Sequence, residues 1–380
     1  MRRFLFSCLF IGISCLAMSQ TVERRQVVFV DNSNDSTVFY TDGLEYAMID
    51  STTTVTPVEK YVKLKRKDGA SVRVYLSDIK RMVFRKVRED IVLPDTPPKV
   101  GDYYYSDGTW SDGGLLSIDP EGTKPVWADE KPAPVAGKTV IGIVAVTDQE
   151  RIAQVDKDAG FTHGYVVCSK FAHDPNNLST VTHEPFPTTK FTWDDNFECD
   201  IKVKKTGKSW YADVDGRQHC RNVVEFYGDN LVAQCPTVYY TNIMPHPSTS
   251  SEWFIPATGQ MWDVLANLCG NSTAQRMKGW RTVETDATYS CSAYIYDDPM
   301  ARFNSTLDKV ADSDKELLEA ESEAHNYCPL WTSTRYDENA MDTFNVGTKY
   351  TSGNHKGKSL IECMAEWYNG DCYARPVLAF

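Results

Sequence analysis

The sequence WFIPATGQMWDVLANLCG, residues 253–270, decides the expected fold of the C-terminal half of the chain. Its first three residues are bulky and predict a short strand, which Pro256 ends. The apolar residues that follow recur at the 3–4 residue spacing of one helical face: Met261, Val264, Leu265 and Leu268. Gly270 is a typical helix stop. A strand that turns into an amphipathic helix predicts a mixed α+β domain, and this stretch offers no reactive side chain.

The first residues have the pattern of a secretory signal peptide. A pair of arginines precedes an apolar run over residues 4–17, and a small-x-small cleavage pattern follows. We therefore expect residues 1–19 to be a signal and the mature chain to start at Gln20. A transmembrane helix is not expected, because a span needs about 20 apolar residues. A lipid anchor at Cys15 stays open as an alternative, although the residues before it match a lipobox poorly.

The net charge and the length of the chain limit the classes of protein to which it can belong. The 380 residues carry a formal net charge of −12, and removal of residues 1–19, with two arginines and no acidic residue, makes it −14. An acidic surface argues against nucleic acid and anionic lipid as partners. The length predicts one large domain with a smaller companion. After signal removal we expect a secreted or cell-surface protein with no segment inserted in a membrane.

The cysteines give two alternatives. Of the 11 cysteines, Cys8 and Cys15 lie in the predicted signal, which leaves nine. Export permits disulfides, but an odd number leaves at least one thiol without a partner in the same chain. Buried free cysteines that act as small apolar fillers are the other interpretation. No C-x-x-C spacing occurs, so that a structural zinc site is not expected.

Residues 20–93 predict a small all-β domain. Residues 26–30 are a strand candidate, and Asp-Gly pairs at 42–43 and 68–69 each lie between β-type runs, which is a hairpin signal. The proline-rich residues 94–100 predict a stiff, extended linker. Because no cluster of polar side chains converges in the β domain, docking or spacing is its expected role rather than catalysis.

Residues 101–380 predict the larger α+β domain. Strands are expected at residues 103–105, 138–146, 165–168, 331–334 and 373–380. Helices are expected after a capping-box pattern at residues 147–150, over residues 220–227, and after the N-cap and first-turn proline Asp298-Pro299. The apolar stripe of this last helix consists of Met300, Phe303, Leu307 and Val310. The rest of residues 174–250 and all of residues 335–371 are predicted as loop.

Patterns of catalytic or metal-binding residues are weak. None of the seven histidines has a second histidine at the helical spacing of a metal site such as H-x-x-x-H. No G-x-S-x-G, P-loop or G-x-G-x-x-G motif occurs. The sequence therefore predicts no cofactor, no metal and no catalytic residue.

Five motifs, in the same order along the chain, carry a resemblance to a known family. They are YYYSDGTW at 103–110, IGIV at 141–144, WFIP at 253–256, WTST at 331–334 and RPVLAF at 375–380. Residues 101–380 resemble the C-type-lectin-like domain, related to the formylglycine-generating-enzyme fold, of secreted and surface proteins of Bacteroidetes. Members include fimbrial-tip-like adhesins and the variable proteins of diversity-generating retroelements. Ala257 and Arg335 depart from the residues usual in that family.

The resemblance implies a ligand-binding face built from residues 332–373. Calcium-dependent lectin motifs are not matched, since the chain has only EPF at 184–186 and WDDN at 193–196. Aromatic residues interleave with polar ones in the predicted loop, which is the composition of a recognition surface. The candidate ligand-binding residues are Tyr336, Asp337, Asn339, Tyr350, Asn354, His355, Trp367, Tyr368, Asn369, Asp371 and Tyr373. The alternative is an exposed loop whose aromatic side chains pack on the core.

Three functions are compatible with these patterns. The first is an adhesion or binding protein that recognises a glycan or a protein, with other subunits of a surface appendage as further partners. The second is an enzyme of the formylglycine-generating type, for which Cys363 and Cys372 are the candidate redox pair. An ordinary disulfide that closes this loop is the favoured interpretation of these two cysteines. The third is a structural subunit of a fimbria-like assembly.

Overall fold

The computed structural model describes residues 19–32, 36–40, 44–51, 60–66, 71–92, 94, 96–117, 125–172, 206–284, 290–322, 325–335, 340–367 and 372–380. Within these residues the chain is a mixed α+β protein, as the sequence predicts. The predicted signal lies outside them, apart from Ser19. Among the described helices, none combines the length and the apolar character that crossing a membrane requires.

The strands and helices alternate irregularly along the chain. The strands of the first 92 residues are β1 (Ser19–Asp31), β2 (Ser36–Tyr40), β3 (Leu44–Ser51), β4 (Lys60–Arg66), β5 (Ser71–Tyr75) and β6 (Ile79–Val92). The later strands are β7 (Tyr103–Tyr105), β8 (Trp110–Ser111), β9 (Leu115–Ser117), β10 (Val126–Trp127), β11 (Val140–Val146), β12 (Tyr165–Cys168), β13 (Ser290–Ile295), β14 (Tyr327–Arg335), β15 (Ala340–Gly347), β16 (Ser359–Trp367) and β17 (Val377–Ala379). The helices are α1 (Gln154–Asp158), α2 (Gly207–Ala212), α3 (Gly216–Tyr227), α4 (Leu231–Gln234), α5 (Pro236–Asn242), α6 (Thr258–Leu268), α7 (Asn271–Trp280) and α8 (Pro299–Ser305).

The N-terminal β unit consists of two antiparallel three-stranded sheets, ordered β2-β1-β6 and β3-β4-β5. Val27 and Phe29 of β1 share one small core with Val62 and Leu64 of β4. The hairpin predicted at residues 68–69 is confirmed, because β4 pairs with β5. The hairpin predicted at residues 42–43 is wrong, because β2 pairs with β1 whereas β3 pairs with β4. An Asp-Gly pair permits a tight turn, but strand pairing also depends on which partner buries the apolar face.

The larger domain contains a five-stranded sheet, β17-β12-β11-β7-β8, and a four-stranded sheet, β13-β16-β15-β14. All neighbours in both sheets are antiparallel. β17 is the last strand of the chain and pairs with β12, so that the C-terminus closes one edge of the first sheet. The predicted strands at residues 103–105 and 165–168 are confirmed as β7 and β12.

Helix α6, which follows the WFIP motif of residues 253–256, packs against both of these sheets. It contacts β11 of the five-stranded sheet and β14 and β15 of the four-stranded sheet. Met261, Trp262, Val264 and Leu265 of α6 are fully buried. Each such side chain contributes about 1.5–3 kcal/mol when it leaves water. The predicted helix is thus confirmed as the element that joins the two sheets, whereas the strand predicted before it is a single bridge between Phe254 and Val377.

The N-terminus of α6 is capped by the side chains of other residues, because the N-cap residue Ala257 has no side-chain oxygen. The Thr258 N–H donates to Thr334 Oγ1 of β14, 2.8 Å away. Gln260 Oε1 accepts hydrogen bonds from the N–H groups of Ala257 and Gly216 at 2.9 and 3.2 Å. Gly259 is needed for the close approach of α2, since a Cβ there would lie 2.3 Å from the Asp213 carbonyl oxygen. These contacts link α6, β14 and the α2–α3 connection.

Two predicted loops are wrong where the structure describes them. Residues 206–242 form four helices, of which only α3 overlaps the expected one. Residues 340–347 and 359–367 are the strands β15 and β16, and the side chains of β15 are buried from Met341 to Gly347. Helix α7 and strand β13 were not predicted either. The Asp298 cap is confirmed, because Asp298 Oδ1 accepts from the Ala301 N–H at 2.9 Å. The apolar stripe is confirmed on the helix only for Met300 and Phe303, since α8 ends at Ser305 and the buried Leu307 and Val310 lie in the turns after it.

Candidate ligand-binding surface

The residues predicted to bind a ligand are only partly described. Trp367 ends β16, and its side chain lies outside the described part of the chain. The same holds for six whole residues: Tyr336, Asp337, Asn339, Tyr368, Asn369 and Asp371. The four that remain are Tyr350, Asn354, His355 and Tyr373.

Tyr350 and His355 belong to an exposed aromatic cluster on the four-stranded sheet. The His355 ring stacks on Tyr294, with centroids 3.5 Å apart and planes inclined by 7°. The Tyr350 ring lies 5.9 Å from Tyr294, and Lys358 Nζ lies 5.1 Å from the ring of Tyr296. We call these five residues the tyrosine patch. Its members are Tyr294 of β13, Tyr296 directly after that strand, and three residues of the turn that leads into β16.

Tyr294 of β13 faces solvent because successive side chains of a strand point to opposite faces, and Tyr296 directly follows the end of this strand. Cys291 and Ile295 point inward and are buried, whereas Tyr294 is 38 % and Tyr296 74 % exposed. β13 lies at one edge of the sheet and pairs with β16, where Tyr294 is opposite Leu360. The strand therefore buries one face in the core and leaves the aromatic face to solvent.

The turn between β15 and β16 places His355 against Tyr294 of β13. The Tyr350 N–H donates to the Lys358 carbonyl oxygen at 2.9 Å, and the Gly357 N–H donates back to Tyr350 at 2.8 Å. Gly357 adopts a φ of 79°, a conformation that side-chain-bearing residues rarely take. The Lys358 N–H also donates to the His355 carbonyl oxygen at 2.9 Å. These backbone bonds fix the turn, so that the patch is held in place by structure rather than by the stacking alone.

Tyr350 of the patch is partly shielded from water. The pKa of Tyr350 is raised, first because burial disfavours the phenolate and then because of the neighbouring Tyr294 and Glu362. Its hydroxyl therefore remains a neutral donor and acceptor at physiological pH. Tyrosine combines a large apolar ring with such a polar handle, which suits it to recognition surfaces. Lys358 adds a positive charge to this side of an acidic protein.

Tyr373 and Asn354 occupy different places. Asn354 is exposed in the same turn as His355, beside the tyrosine patch. Tyr373 instead is half-buried against the main core, with its ring 5.0 Å from Phe171. Its N–H donates to the Pro329 carbonyl oxygen at 2.9 Å. The structure therefore brings Tyr350, Asn354 and His355 together and places Tyr373 elsewhere.

Tyr294 and Tyr296 were missed by sequence reasoning, because β13 was not predicted. The signal that could have found them is the alternation in SCSAYIY, residues 290–296. Period-two alternation of this kind is typical of a strand with one buried face.

A Ser-His-Asp arrangement lies in the interior beneath α6. His219 Nδ1 is 3.2 Å from Ser333 Oγ, and His219 Nε2 is 3.7 Å from Asp213 Oδ1. Thr334 Oγ1 donates to Asp213 Oδ2 at 2.6 Å. Ser333 and His219 are each only 1 % exposed. Since a nucleophile must reach its substrate, this geometry fits a buried polar network that holds β14 to α2 and α3 rather than an active site.

The cysteines do not have the features of a redox pair. The eight that the structure describes are all buried, and none of them is joined to another in a disulfide. Burial raises the pKa of the Cys363 thiol well above its ordinary value, because desolvation disfavours the thiolate. A reactive thiol needs a lowered pKa and access to solvent. The described cysteines therefore fit the filler interpretation, while Cys199 lies outside the described residues.

Several concave sites occur among the described residues. A cleft of about 490 Å³ lies between residues 125–131 and the helices α6, α7 and α8. A second, of about 260 Å³, lies beside Cys220 and Glu252. A third, of only about 30 Å³, lies beside Tyr104 and His163. Within the described ranges, no group of three or more histidine, cysteine, aspartate or glutamate side chains is placed to hold a metal ion.

Comparisons of the chain with known protein families, with curated proteins and with solved structures found no match.

Proposed function

We propose that this chain is a secreted or cell-surface binding protein that recognises a glycan or protein ligand through the tyrosine patch. The observation that carries the proposal is the aromatic cluster in which Tyr294 and Tyr296 are exposed and Tyr350 and His355 are partly exposed. A folded protein seldom leaves stacked aromatic rings in water, and exposed apolar patches of this kind mark contact sites. Tyrosine is also enriched among the residues that dominate binding energy.

Two features of the sequence support the cellular setting and the finer fold. The pattern of residues 1–19 supports export, after which a contact surface would face other cells or secreted molecules. The five ordered motifs support a C-type-lectin-like fold for residues 101–380, in which a segment before the last strand forms the binding face. Three residues of the patch, Tyr350, His355 and Lys358, belong to that segment.

The rigidity of the patch also supports a binding role. Backbone hydrogen bonds fix the turn of residues 350–358, and the pairing of the edge strand β13 with β16 fixes Tyr294. Aromatic side chains have few rotatable bonds, and a surface that is ordered before binding loses less entropy when the ligand arrives.

The test is to screen the mature chain on glycan and protein arrays beside Tyr296→Ala and a double variant that also carries Tyr294→Ala. We expect ligands that the wild-type chain binds and the double variant does not. Phe84→Ala is the matched control, because Phe84 is 69 % exposed in the N-terminal β unit. Binding that survives in the double variant, or its loss in Phe84→Ala, would rule out the patch as the contact surface.

A further inference from the structure

The cleft of about 490 Å³ is not lined by any residue of the tyrosine patch, although Asp297 directly follows Tyr296 in the chain. Trp127 and Lys131 form one wall. The lining also includes Asn271 at the start of α7, Asp297 and Arg302 of α8. Concave sites of this volume that combine an aromatic wall with a few polar groups are typical of small-ligand sites.

Contacts among the lining residues and with their neighbours hold the cleft in shape. Lys131 Nζ donates to the Ser305 carbonyl oxygen and lies 5.1 Å from the Trp127 ring, so that it ties the first wall to α8. The Trp127 ring covers Gly101 so closely that a Cβ there would lie 2.4 Å from it. Asp297 Oδ2 accepts from the Ser272 N–H at 2.7 Å, at the start of α7. The cleft is therefore formed before any ligand binds.

Unused hydrogen-bonding groups line this preformed cleft. Among the described residues, the side chains of Asn271 and Arg302 form no hydrogen bond or ion pair, and only one carboxylate oxygen of Asp297 is engaged. The amide both donates and accepts, the guanidinium only donates, and the carboxylate only accepts. The cleft thus offers donors and acceptors side by side next to an indole ring.

We propose that this cleft binds a saccharide unit that packs against Trp127 and bonds through its hydroxyl groups to Asn271, Asp297 and Arg302. A sugar hydroxyl both donates and accepts, so that a polyhydroxyl ring satisfies the mixed set of groups. A simple anion would be repelled by the Asp297 carboxylate, and a simple cation would be repelled by the positive charges of Arg302 and Lys131. The C–H face of a sugar ring is apolar enough to pack on an aromatic side chain.

The test uses saturation-transfer-difference NMR on the mature chain with galactose, mannose, N-acetylglucosamine and glucuronate, each at millimolar concentration. We expect at least one neutral sugar to bind. Asn271→Ala and Arg302→Ala together should weaken that binding at least about tenfold, since each removes a polar contact. Both positions are exposed, so that the fold should persist. Arg276→Ala is the matched control, because Arg276 is also exposed on α7 but does not line the cleft.

The other possible results either overturn the inference or separate it from the proposed function of the tyrosine patch. If none of the sugars binds, or if only glucuronate binds, the assignment to a neutral saccharide fails. If sugar binding persists in the cleft variants but disappears in Tyr296→Ala, the sugar belongs to the tyrosine patch and the cleft is not its site. If the cleft variants lose binding while Tyr296→Ala keeps it, the cleft assignment stands whatever the fate of the proposed patch.

Discussion

The imidazole of His355 lies flat on the ring of Tyr294, with centroids 3.5 Å apart and planes inclined by 7°. This stack joins a turn that leads into β16 to the edge strand β13. Aromatic pairs contribute about 0.5–1.5 kcal/mol beyond the burial of their area. The contact therefore helps to fix the most exposed aromatic surface that the structure describes in the larger domain.

Asp298 connects the N-terminus of α8 to the residues directly before this turn. Its Oδ1 caps α8 through the Ala301 N–H, and its Oδ2 accepts from Thr348 Oγ1 at 2.8 Å. We expect Asp298→Ala to lower the free energy of unfolding by roughly 1–2 kcal/mol, because an N-cap and a hydrogen bond are lost. Asp298→Ser should recover the cap and about half of the loss. Urea unfolding measures both, and an unchanged midpoint for Asp298→Ala would contradict the assignment.

Thr334 holds the buried network beneath α6. Its hydroxyl accepts from the Thr258 N–H and donates to Asp213 Oδ2. Thr334→Val keeps the shape but leaves both partners buried without this bond, so that we expect a loss of roughly 2–4 kcal/mol. Thr334→Ser keeps the hydroxyl and removes one methyl group, which should cost only about 1 kcal/mol. If the two variants were equally stable in urea, the hydroxyl would have no such role.

The described cysteines should resist thiol reagents in the folded protein. Burial restricts access to all eight of them, and it also opposes thiolate formation, as Cys328 shows with a pKa raised to about 12, mainly by desolvation. We expect mass spectrometry after brief alkylation at neutral pH to find the eight described cysteines unmodified, and modified once urea is added. Rapid modification of Cys363 or Cys372 in the native protein would revive the redox-pair alternative.

The same thiols make stability depend on alkaline pH. Burial raises the pKa of Cys168 and Cys291 from the ordinary 9.0 to about 11 in the folded chain. Between these values the unfolded chain has lost protons that the folded chain still holds, so that unfolding is favoured as pH rises. Each such group lowers the free energy of unfolding by up to about 1.4 kcal/mol per pH unit. We expect the urea midpoint, measured under reducing conditions, to fall between pH 8.5 and 10.5, and a constant midpoint would contradict these shifts.

The sequence predicts the parts of this fold in which periodicity and caps agree with burial. The apolar spacing of Met261, Val264 and Leu265 predicts α6, and the Asp298-Pro299 pair predicts the start of α8. In both elements the local pattern and the tertiary contacts favour the same structure.

Elements that bury polar residues could not be predicted in this way. β15 contains Asp342, Thr343 and Asn345, which are typical of a loop until their partners are known. In the fold, Asn345 Nδ2 donates to Glu362 Oε2 at 2.9 Å, and Thr343 Oγ1 donates to the Met364 carbonyl oxygen at 3.3 Å. Both partners belong to β16, so that each strand makes burial of the other possible. A pattern read along one segment does not contain this information.

The candidate surface was predicted in part for a related reason. Tyr350, Asn354 and His355 stand close together in the sequence and remain together in the fold. Tyr294 and Tyr296 reach the same surface only through the pairing of β13 with β16, which is a long-range contact. Tyr373 is near these residues in sequence, but its backbone hydrogen bonds with Pro329 and Trp331 hold it against the core.

The most direct measurement compares the affinity of an array-selected ligand for the wild-type chain, for Tyr296→Ala and for Phe84→Ala by isothermal titration calorimetry. If the tyrosine patch is the contact surface, the Tyr296→Ala affinity should fall at least about tenfold, in the range of an interface tyrosine, while all three proteins unfold at the same urea midpoint. Phe84→Ala should bind as the wild type does. Equal affinities of the wild type and Tyr296→Ala would contradict the proposal that this surface recognises the ligand.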